Sequence, residues 1–120
     1  MIQLDDVSVG YNNKAVVQNV NLEVGPGHML ALVGPNGSGK STLIKAMTKV
    51  ADLFSGRISI DGRDIMTIRP NELARLVATV PQSPVLPGTF TAFELVLMGR
   101  TPHLGLLRYE GGHDVATAWQ

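Results

Sequence analysis

Cysteine is absent from the 120 residues of this sequence, so disulfide bonds and thiolate metal sites are excluded for it. An excess of charge is absent too, because ten lysine and arginine residues balance ten aspartate and glutamate residues. Nucleic acids and anionic lipids attract basic surfaces, and the balanced charge gives such partners no support. The three histidines, His28, His103 and His113, are too widely spaced to predict a metal site.

Long apolar runs are also missing. The longest ones, such as Met29 to Val33, fall far short of the roughly 20 residues that a membrane-spanning helix needs. Asp5 and Asp6 stand where a signal peptide would carry a basic and then an apolar stretch. We therefore expect a soluble chain, which can work at a membrane only by docking on a protein that spans it.

The remaining composition is that of one small globular domain. Hydrophobic residues make up 44% of the chain and charged residues 17%, which favours a packed core over disorder. A length of 120 residues fits a single domain.

The first half of the chain has the pattern of strands followed by a loop and a helix. Residues 2–9 and 15–24 are rich in β-branched side chains and predict an antiparallel pair. Residues 29–33, MLALV, form a continuous apolar run typical of a strand buried on both faces of a parallel sheet. Apolar residues at helical spacing predict a helix over 41–50, directly after a glycine-rich loop.

The second half gives shorter signals. Residues 57–62 predict a strand that ends in a turn, and Pro70 predicts the first turn of a short helix. Residues 78–82, ATVPQ, predict another strand. Thr91 and Glu94 have the spacing of a capping box and predict the start of a further helix. No clear element is predicted for the residues after that helix.

The strongest local signal is the stretch GPNGSGKST. Gly34, Gly39, Lys40 and Ser41 satisfy the phosphate-loop pattern G-x-x-x-x-G-K-[ST]. Glycines let the backbone turn and approach a ligand without a Cβ, so that successive N–H groups form a concave anion site. The helix that follows adds the partial positive charge of its N-terminus. The predicted nucleotide-binding residues of the loop are Gly34, Pro35, Asn36, Gly37, Ser38, Gly39, Lys40, Ser41 and Thr42.

Three side chains of the loop have separate predicted roles. Lys40 should reach the β- and γ-phosphates as a point charge, and Ser41 should offer its hydroxyl to Mg²⁺. Thr42 should donate a hydrogen bond near the α-phosphate. The alternative is a glycine-rich turn that matches the pattern by chance. A predicted strand before the loop and a predicted helix after it make that alternative a poor one.

Around the loop, the sequence resembles the ATP-binding subunits of ABC transporters, for which GPNGSGKST is the usual form of the loop. Tyr11 lies 23 positions before Gly34, where that family places an aromatic side chain that stacks on adenine. Val80, Pro81 and Gln82 resemble its Q-loop, whose glutamine touches Mg²⁺ and the attacking water. The alternatives are an ordinary hairpin aromatic for Tyr11 and an ordinary loop glutamine for Gln82.

A finer resemblance is to the importer ATPases for iron–siderophore complexes, haem and vitamin B12. Those proteins carry a segment Leu-Val-x-x-Gly-Arg-x-Pro-His after the Q-loop. The matching residues here are Leu95, Val96, Gly99, Arg100, Pro102 and His103. A capped helix that ends at Gly99 and is followed by a proline-containing turn would account for the same residues.

The resemblance implies an α/β phosphate-loop NTPase fold of the ABC ATPase type, with an N-terminal antiparallel β subdomain. It implies ATP and Mg²⁺ as cofactors, Lys40 and Gln82 as catalytic residues, and Ser41 and Gln82 as metal ligands. The implied partners are membrane-spanning permease subunits and a second ATPase subunit, with no nucleic acid. The implied location is the cytoplasmic face of the cell membrane, with the helix over 91–99 near the surface that meets the membrane subunit.

Two elements of that family are missing from these 120 residues. There is no Leu-Ser-Gly-Gly-Gln signature, and no run of four apolar residues is followed by Asp-Glu. Residues 1–120 therefore resemble a partial nucleotide-binding domain that lacks the C-terminal half. We expect this chain to bind ATP without hydrolysing it. We also expect it to be poorly stable, because a strand at 29–33 would lack its neighbours.

Two other classes of function stay open. A GTPase or phosphotransferase could use the same loop. The guanine-reading pattern Asn-Lys-x-Asp fails here, because Asn13 and Lys14 are followed by Ala15 and Val16. The third class is a non-catalytic module that binds nucleotide or a partner subunit without turnover.

Overall fold

The computed structural model describes residues 1–83, 88–104 and 109–120. The chain forms two compact units, Met1–Arg69 (the first unit) and Pro70–Gln120 (the second unit). The strands are β1 (Ile2–Tyr11), β2 (Lys14–Val24), β3 (Asp52–Ile60) and β4 (Arg63–Asp64). The α-helices are α1 (Lys40–Met47), α2 (Pro70–Leu76), α3 (Ala92–Met98) and α4 (Gly112–Ala118), with 3-10 turns at Ile65–Thr67 and Thr101–His103. None of the helices in the described ranges is long and apolar enough to cross a membrane.

The sheet of the first unit is antiparallel, with the strand order β2-β1-β3-β4. The predicted pairing of the first two strands is confirmed, and Leu4 lies opposite Leu22 across that pair. Asn12 and Asn13 join the two strands with φ angles of 49° and 60°. Positive φ at both central residues is the requirement of a type I′ hairpin turn, and asparagine tolerates it better than most residues.

A bulge in β1 changes which side chains reach the core. Leu4 is buried, Asp5 and Asp6 are exposed, and Val7 and Val9 are buried again, so the simple alternation of a strand is shifted by one residue. The register of β1 is irregular at this point against both of its neighbours, and Asp6 has a φ of 50°. The extra residue therefore allows Leu4 before it and Val7 and Val9 after it all to be buried.

Helix α1 packs on this sheet through Leu43 and Ala46, which are both buried. The predicted helix over 41–50 is confirmed, with a start at Lys40 and an end at Met47. The buried apolar side chains of the first unit are Leu4, Val7, Val9, Leu43, Ala46, Ala51, Ile58, Ile60, Ile65 and Ile68. Fully burying one of the larger of these side chains is worth about 1.5–3 kcal/mol, so this cluster is the main source of stability for the unit.

Two predicted strands are wrong. Residues 29–33 and 78–82 form no strand, and their apolar side chains are exposed except for the half-buried Leu32, with Met29 98% and Val80 93% exposed. A strand exists only where a neighbour accepts and donates its backbone hydrogen bonds, and the sheet described above includes neither segment. The exposure of 29–33 matches the expectation for a buried-strand pattern without neighbours.

The second unit consists of short helices. Helix α2 begins at Pro70, as predicted, and its Arg75 Nε donates a hydrogen bond of 2.7 Å to the carbonyl of Pro102. Helix α4 was not predicted. It is held against α3 by the stacked rings of Phe93 and Trp119, whose centroids are 4.7 Å apart.

The predicted capping box at the start of α3 is confirmed. The hydroxyl of Thr91 accepts a hydrogen bond from the Glu94 N–H, and the Glu94 carboxylate accepts one of 2.7 Å from the Thr91 N–H. These two bonds satisfy donors that a helix start would otherwise leave without a partner. The bond from the Thr91 N–H, followed by a bond of 2.7 Å that the Thr91 hydroxyl donates to the same carboxylate, holds the pKa of Glu94 below its ordinary value.

Candidate nucleotide-binding site

The glycine-rich loop lies on the surface of the first unit and leads directly into α1. A turn over Pro35–Ser38 forms its tip, closed by a hydrogen bond of 3.3 Å from the Ser38 N–H to the Pro35 carbonyl. Gly37 occupies the third position of this turn with a φ of 82°. That angle is typical of a type II turn, in which glycine avoids the penalty that a Cβ would bring.

Gly39 joins the loop to the hairpin. It has a left-handed φ of 90° and precedes the first helical residue. A Cβ at this position would lie 2.1 Å from Cγ2 of Val17 on β2, which is too close for any side chain. Glycine is therefore required here twice, for the backbone angle and for the close packing of the loop on β2.

Lys40 folds back over the loop that it follows. Its Nζ donates hydrogen bonds to the carbonyls of Gly34 (2.8 Å) and Pro35 (2.7 Å) and to the hydroxyl of Ser38 (3.2 Å). These three acceptors fix the ammonium group at the centre of the loop. A phosphate bound in the loop would lie beside this charge. Because a hydrogen bond from a charged donor to an anion is stronger than one to a neutral carbonyl, the ammonium would favour the phosphate over its present acceptors.

The N-terminus of α1 offers further donors. No side chain caps this helix start, and its first turn contains no acidic residue, within the described first unit. The first N–H groups of a helix have no acceptor inside the helix, and the helix dipole makes this end partly positive. Ser41 is exposed at this end, whereas Thr42 is buried beneath it. An anion would therefore find N–H groups, an ammonium and a hydroxyl on one surface.

A cavity of about 360 Å³ adjoins the loop. Its lining combines side chains of β2 with the loop and the first residues of α1: Val17, Val20, Leu32, Val33, Gly34, Pro35, Ser38, Gly39, Lys40 and Leu43. The volume is in the range of small-molecule sites, which typically pair an apolar wall with a few polar groups. A ligand bound here could place an anionic group on the loop and an uncharged group against the valines of β2.

The residues present fit a nucleotide with Mg²⁺. The glycine backbone leaves room for a phosphate, and Lys40 and the helix N-terminus supply positive charge. Magnesium is usually held by one or two protein oxygens together with phosphate oxygens and water, so the Ser41 hydroxyl is a suitable protein ligand. In the described parts of the chain, no group of three or more histidine, aspartate and glutamate side chains could hold a metal by itself.

The predicted site residues fall into three groups. Those from Gly34 to Thr42 come together in the loop and the first turn of α1. Tyr11 is half-buried at the end of β1, in the same unit, and pairs with Lys14 beyond the hairpin turn. Gln82 is exposed between α2 and α3, in the second unit.

Sequence reasoning missed Val17 as a residue that shapes the loop. Its role depends on the tertiary contact with Gly39, and the alternation of β2 alone marks Val17 only as a half-buried strand residue. A glycine that immediately precedes a phosphate-loop lysine is a signal that something packs closely there. The motif does not say which residue packs there.

A glycine-rich loop that leads into a helix, with a lysine folded over it, is the arrangement of a phosphate-binding loop. The sequence profile of the ABC transporter family matches residues 17–119. The chain belongs to this family.

Curated relatives of the chain are ATP-binding proteins of transport systems. It is 41% identical to a hemin import ATP-binding protein of Rhizobium meliloti, over 82% of this chain and 38% of that protein. It is 35% identical to a ferric enterobactin transport ATP-binding protein of Escherichia coli, over 97% of this chain and 44% of that protein. It is 38% identical to a manganese transport system ATP-binding protein of Bacillus subtilis, over 98% of this chain and 46% of that protein. The chain thus spans less than half the length of these relatives.

A solved structure of the ATP-binding subunit of an ABC transporter has the same fold. It superposes with a TM-score of 0.76 over 86% of this chain and 42% of that one, at 33% sequence identity. The predicted fold class, an ABC ATPase-like phosphate-loop NTPase with an N-terminal antiparallel sheet, is confirmed.

Proposed function

We propose that residues 34–42 bind ATP with Mg²⁺ and that this chain is the nucleotide-binding part of an ABC importer ATPase. The observation that carries the proposal is the Lys40 ammonium, held by two loop carbonyls and the Ser38 hydroxyl at an uncapped helix start. A lysine in that position has three loop acceptors that a phosphate can replace. Family membership supports a nucleotide triphosphate as the anion.

Each part of the loop has a role in this proposal. The backbone N–H groups of the loop and the first turn of α1 bind the phosphates, and Lys40 neutralises their charge near the β- and γ-positions. The Ser41 hydroxyl holds Mg²⁺, and Thr42 donates near the α-phosphate. When bound, Mg²⁺ would supply positive charge beside the phosphates, and the Ser41 hydroxyl would hold it there. Phosphoryl transfer depends on positioning and electrostatic stabilisation, and the loop contributes both.

Tyr11 and Gln82 complete the proposed site. Tyr11 stacks on the adenine ring, which is supported by its place on the hairpin whose strand β2 contacts the loop at Gly39. Gln82 contacts Mg²⁺ and the attacking water, which rests on the resemblance of residues 80–82 to the Q-loop of the family. We propose binding for these 120 residues and hydrolysis for the longer protein that pairs two such subunits.

We further propose an importer of an iron complex, either haem or a ferric siderophore. The names of the Rhizobium and Escherichia relatives and the residues of the 95–103 segment support this cargo class. The manganese transport protein of Bacillus has an identity of 38%, which lies between the identities of the other two relatives, so a metal ion is the competing cargo. The partners are membrane-spanning permease subunits and a second copy of the ATPase, and the protein acts at the cytoplasmic face of the membrane.

An equilibrium titration of the purified chain with ATP–Mg²⁺ tests the binding proposal. Lys40→Ala removes the ammonium from the loop, whereas Lys45→Ala removes the same charge from an exposed position further along α1. We expect saturable binding by the wild type and by Lys45→Ala, and a large loss of affinity for Lys40→Ala. Equal affinity of the two variants would show that the loop does not hold the phosphates. Tighter binding of GTP than of ATP would favour a GTPase instead.

A further inference from the structure

We propose that Asn36 is a site of spontaneous deamidation, which inactivates the loop, and that bound nucleotide protects it. Asn36 and Gly37 form the one Asn-Gly pair in the sequence. Asparagine is among the thermally labile residues of proteins. Its side-chain amide is attacked by the backbone nitrogen of the next residue, and a glycine in that position offers no side chain to obstruct the attack.

The structure leaves both reacting groups accessible. Asn36 and Gly37 are exposed, and in the described parts of the chain no atom beyond the neighbouring residues lies within 4 Å of the position that a Cβ of Gly37 would occupy. The turn is closed by the Ser38 N–H, so the Gly37 N–H takes no part in that hydrogen bond. In residues 1–83, which the structure describes without a gap, no hydrogen bond holds the Gly37 N–H or the Asn36 side chain.

The reaction needs only water. The backbone nitrogen of Gly37 attacks Cγ of Asn36, a new N–Cγ bond forms, and the Cγ–Nδ2 bond breaks. Ammonia leaves with the proton from the Gly37 nitrogen, and a five-membered succinimide remains. Water then opens one of its two carbonyls. Opening one side gives aspartate at position 36, and opening the other gives an isoaspartyl linkage that runs through the side chain.

Three of the five other asparagines in the chain provide internal references. The Oδ1 of Asn21 accepts a hydrogen bond of 2.9 Å from the Asp6 N–H. The hydroxyl of Ser8 accepts a hydrogen bond from the Asn19 N–H and donates one to the Asn19 Oδ1. Both lie within β2, and bulky residues follow them in the sequence. Asn71 lies in the first turn of α2 and is followed by Glu72, whose side chain obstructs the attack. We expect all three to react several-fold more slowly than Asn36.

The functional consequence rests on the proposed function. A carboxylate at position 36 places negative charge where the phosphates would bind. The isoaspartyl form also adds one carbon to the backbone, which displaces the N–H groups of the turn that follow it. Bound phosphate engages loop N–H groups and holds the turn, so nucleotide slows the attack by Gly37.

The test is incubation of the whole chain at mildly alkaline pH with and without ATP–Mg²⁺, followed by peptide mapping. Mass spectrometry measures the conversion of amide to acid, and enzymatic methylation detects isoaspartate. We expect the converted fraction at Asn36 to exceed that at Asn19, Asn21 and Asn71 several-fold, and to fall several-fold with ATP–Mg²⁺. Asn36→Gln, whose longer side chain would need a six-membered ring, should abolish the signal in that peptide.

Conversion at Asn36 no faster than at the three reference positions would overturn the proposal. A second outcome is that Asn36 converts fast, that ATP–Mg²⁺ does not slow the conversion, and that the titration shows no ATP binding. This outcome would count against the proposed function. Deamidation itself would stand in that case. Titration of the converted fraction should show a loss of ATP affinity relative to the intact fraction, and equal affinities would refute the inactivation.

Discussion

Gly39 lies so close to Val17 that a Cβ on the glycine would stand 2.1 Å from Cγ2 of the valine. This contact joins the phosphate loop to strand β2 across 22 positions of sequence. It means that the shape of the loop depends on the N-terminal hairpin as well as on the loop's own glycines. The β subdomain therefore supports the loop directly.

The first prediction concerns this contact. Gly39→Ala forces a side chain into a left-handed residue, at about 1–2 kcal/mol, and into Val17. We expect it to weaken ATP–Mg²⁺ binding by about tenfold or more, which corresponds to about 1.4 kcal/mol. Val17→Ala removes the atom that obstructs the new Cβ. In a double-mutant cycle, the loss caused by Gly39→Ala should thus be smaller in the Val17→Ala background. Strictly additive losses would mean that the contact does not shape the loop.

The second prediction compares two glycines with the same backbone angle. Gly56 has a φ of 80°, and its Cβ would lie 2.3 Å from the carbonyl oxygen of Asp6, at the bulge of β1. Gly62 has a φ of 75°, and in the described parts of the chain no atom beyond the neighbouring residues lies within 4 Å of the position that its Cβ would occupy. Gly62→Ala should cost only the backbone penalty of about 1–2 kcal/mol. Gly56→Ala should cost about 1–3 kcal/mol more, because strand backbones must separate. Urea unfolding measures both, and equal losses would contradict the packing argument.

Local sequence signals predicted the elements that local interactions stabilise. The antiparallel pair of residues 2–9 and 15–24, the helix predicted over 41–50 and the capping box at Thr91 each depend on residues close in sequence, and each is present in the structure. The strands expected at 29–33 and 78–82 were not found, since a strand depends on distant partners for its hydrogen bonds. The sequence pattern of a buried strand is present, but its neighbours are not among the described strands.

Features that depend on tertiary packing escaped prediction. The bulge at Asp6 packs closely against Gly56 on β3, and no residue near Asp6 in the sequence predicts a bulge. Helix α4 has no strong apolar periodicity. It is held by the contact of Trp119 with Phe93 of α3 and by the ion pair of Asp114 with Arg100, which follows α3. In the proposed site, the motif predicts residues 34–42, whereas the contact of Val17 with Gly39 is known only from the structure.

The third prediction concerns the ion pair between α4 and the residue that precedes the second 3-10 turn. Asp114 accepts hydrogen bonds from the Gly111 N–H (3.1 Å) and from Arg100 Nε (3.0 Å). These bonds, the backbone one first, hold the pKa of Asp114 below its ordinary value of 3.8. A lowered pKa in the folded state means that the stabilisation is complete above pH 3.8 and is lost as the pH falls through the lower, folded value.

Trp119 is the single tryptophan of the chain and lies at the end of α4, so its fluorescence follows this helix. We expect acid to weaken the packing of α4 in the wild type. Asp114→Asn should weaken it already at neutral pH and should flatten its dependence on pH below 4. If the variant showed the same acid transition as the wild type, other carboxylates would be its cause. Glu94 would be the first of them to examine.

The fourth prediction concerns the start of α3. Thr91→Ala removes the hydroxyl that accepts the Glu94 N–H, and loss of such a cap costs about 1 kcal/mol. Thr89→Ala makes the same chemical change at a nearby exposed residue that precedes the cap. Urea unfolding followed by Trp119 fluorescence should show a lower midpoint for Thr91→Ala only. Equal midpoints for the two variants would mean that the capping box does not stabilise this unit.

Nucleotide is proposed to bind at residues 34–42, and amide chemical shifts report the position of a bound ligand directly. Isotope-labelled chain would be titrated with ATP–Mg²⁺ and, separately, with pyrophosphate, which shares only the phosphates. We expect the largest shifts at the amides of Gly37, Gly39, Lys40, Ser41 and Thr42 with both ligands, and an additional shift at Tyr11 with ATP alone. Shifts spread over other residues, with the loop amides unchanged, would contradict the assignment of residues 34–42 as the nucleotide site.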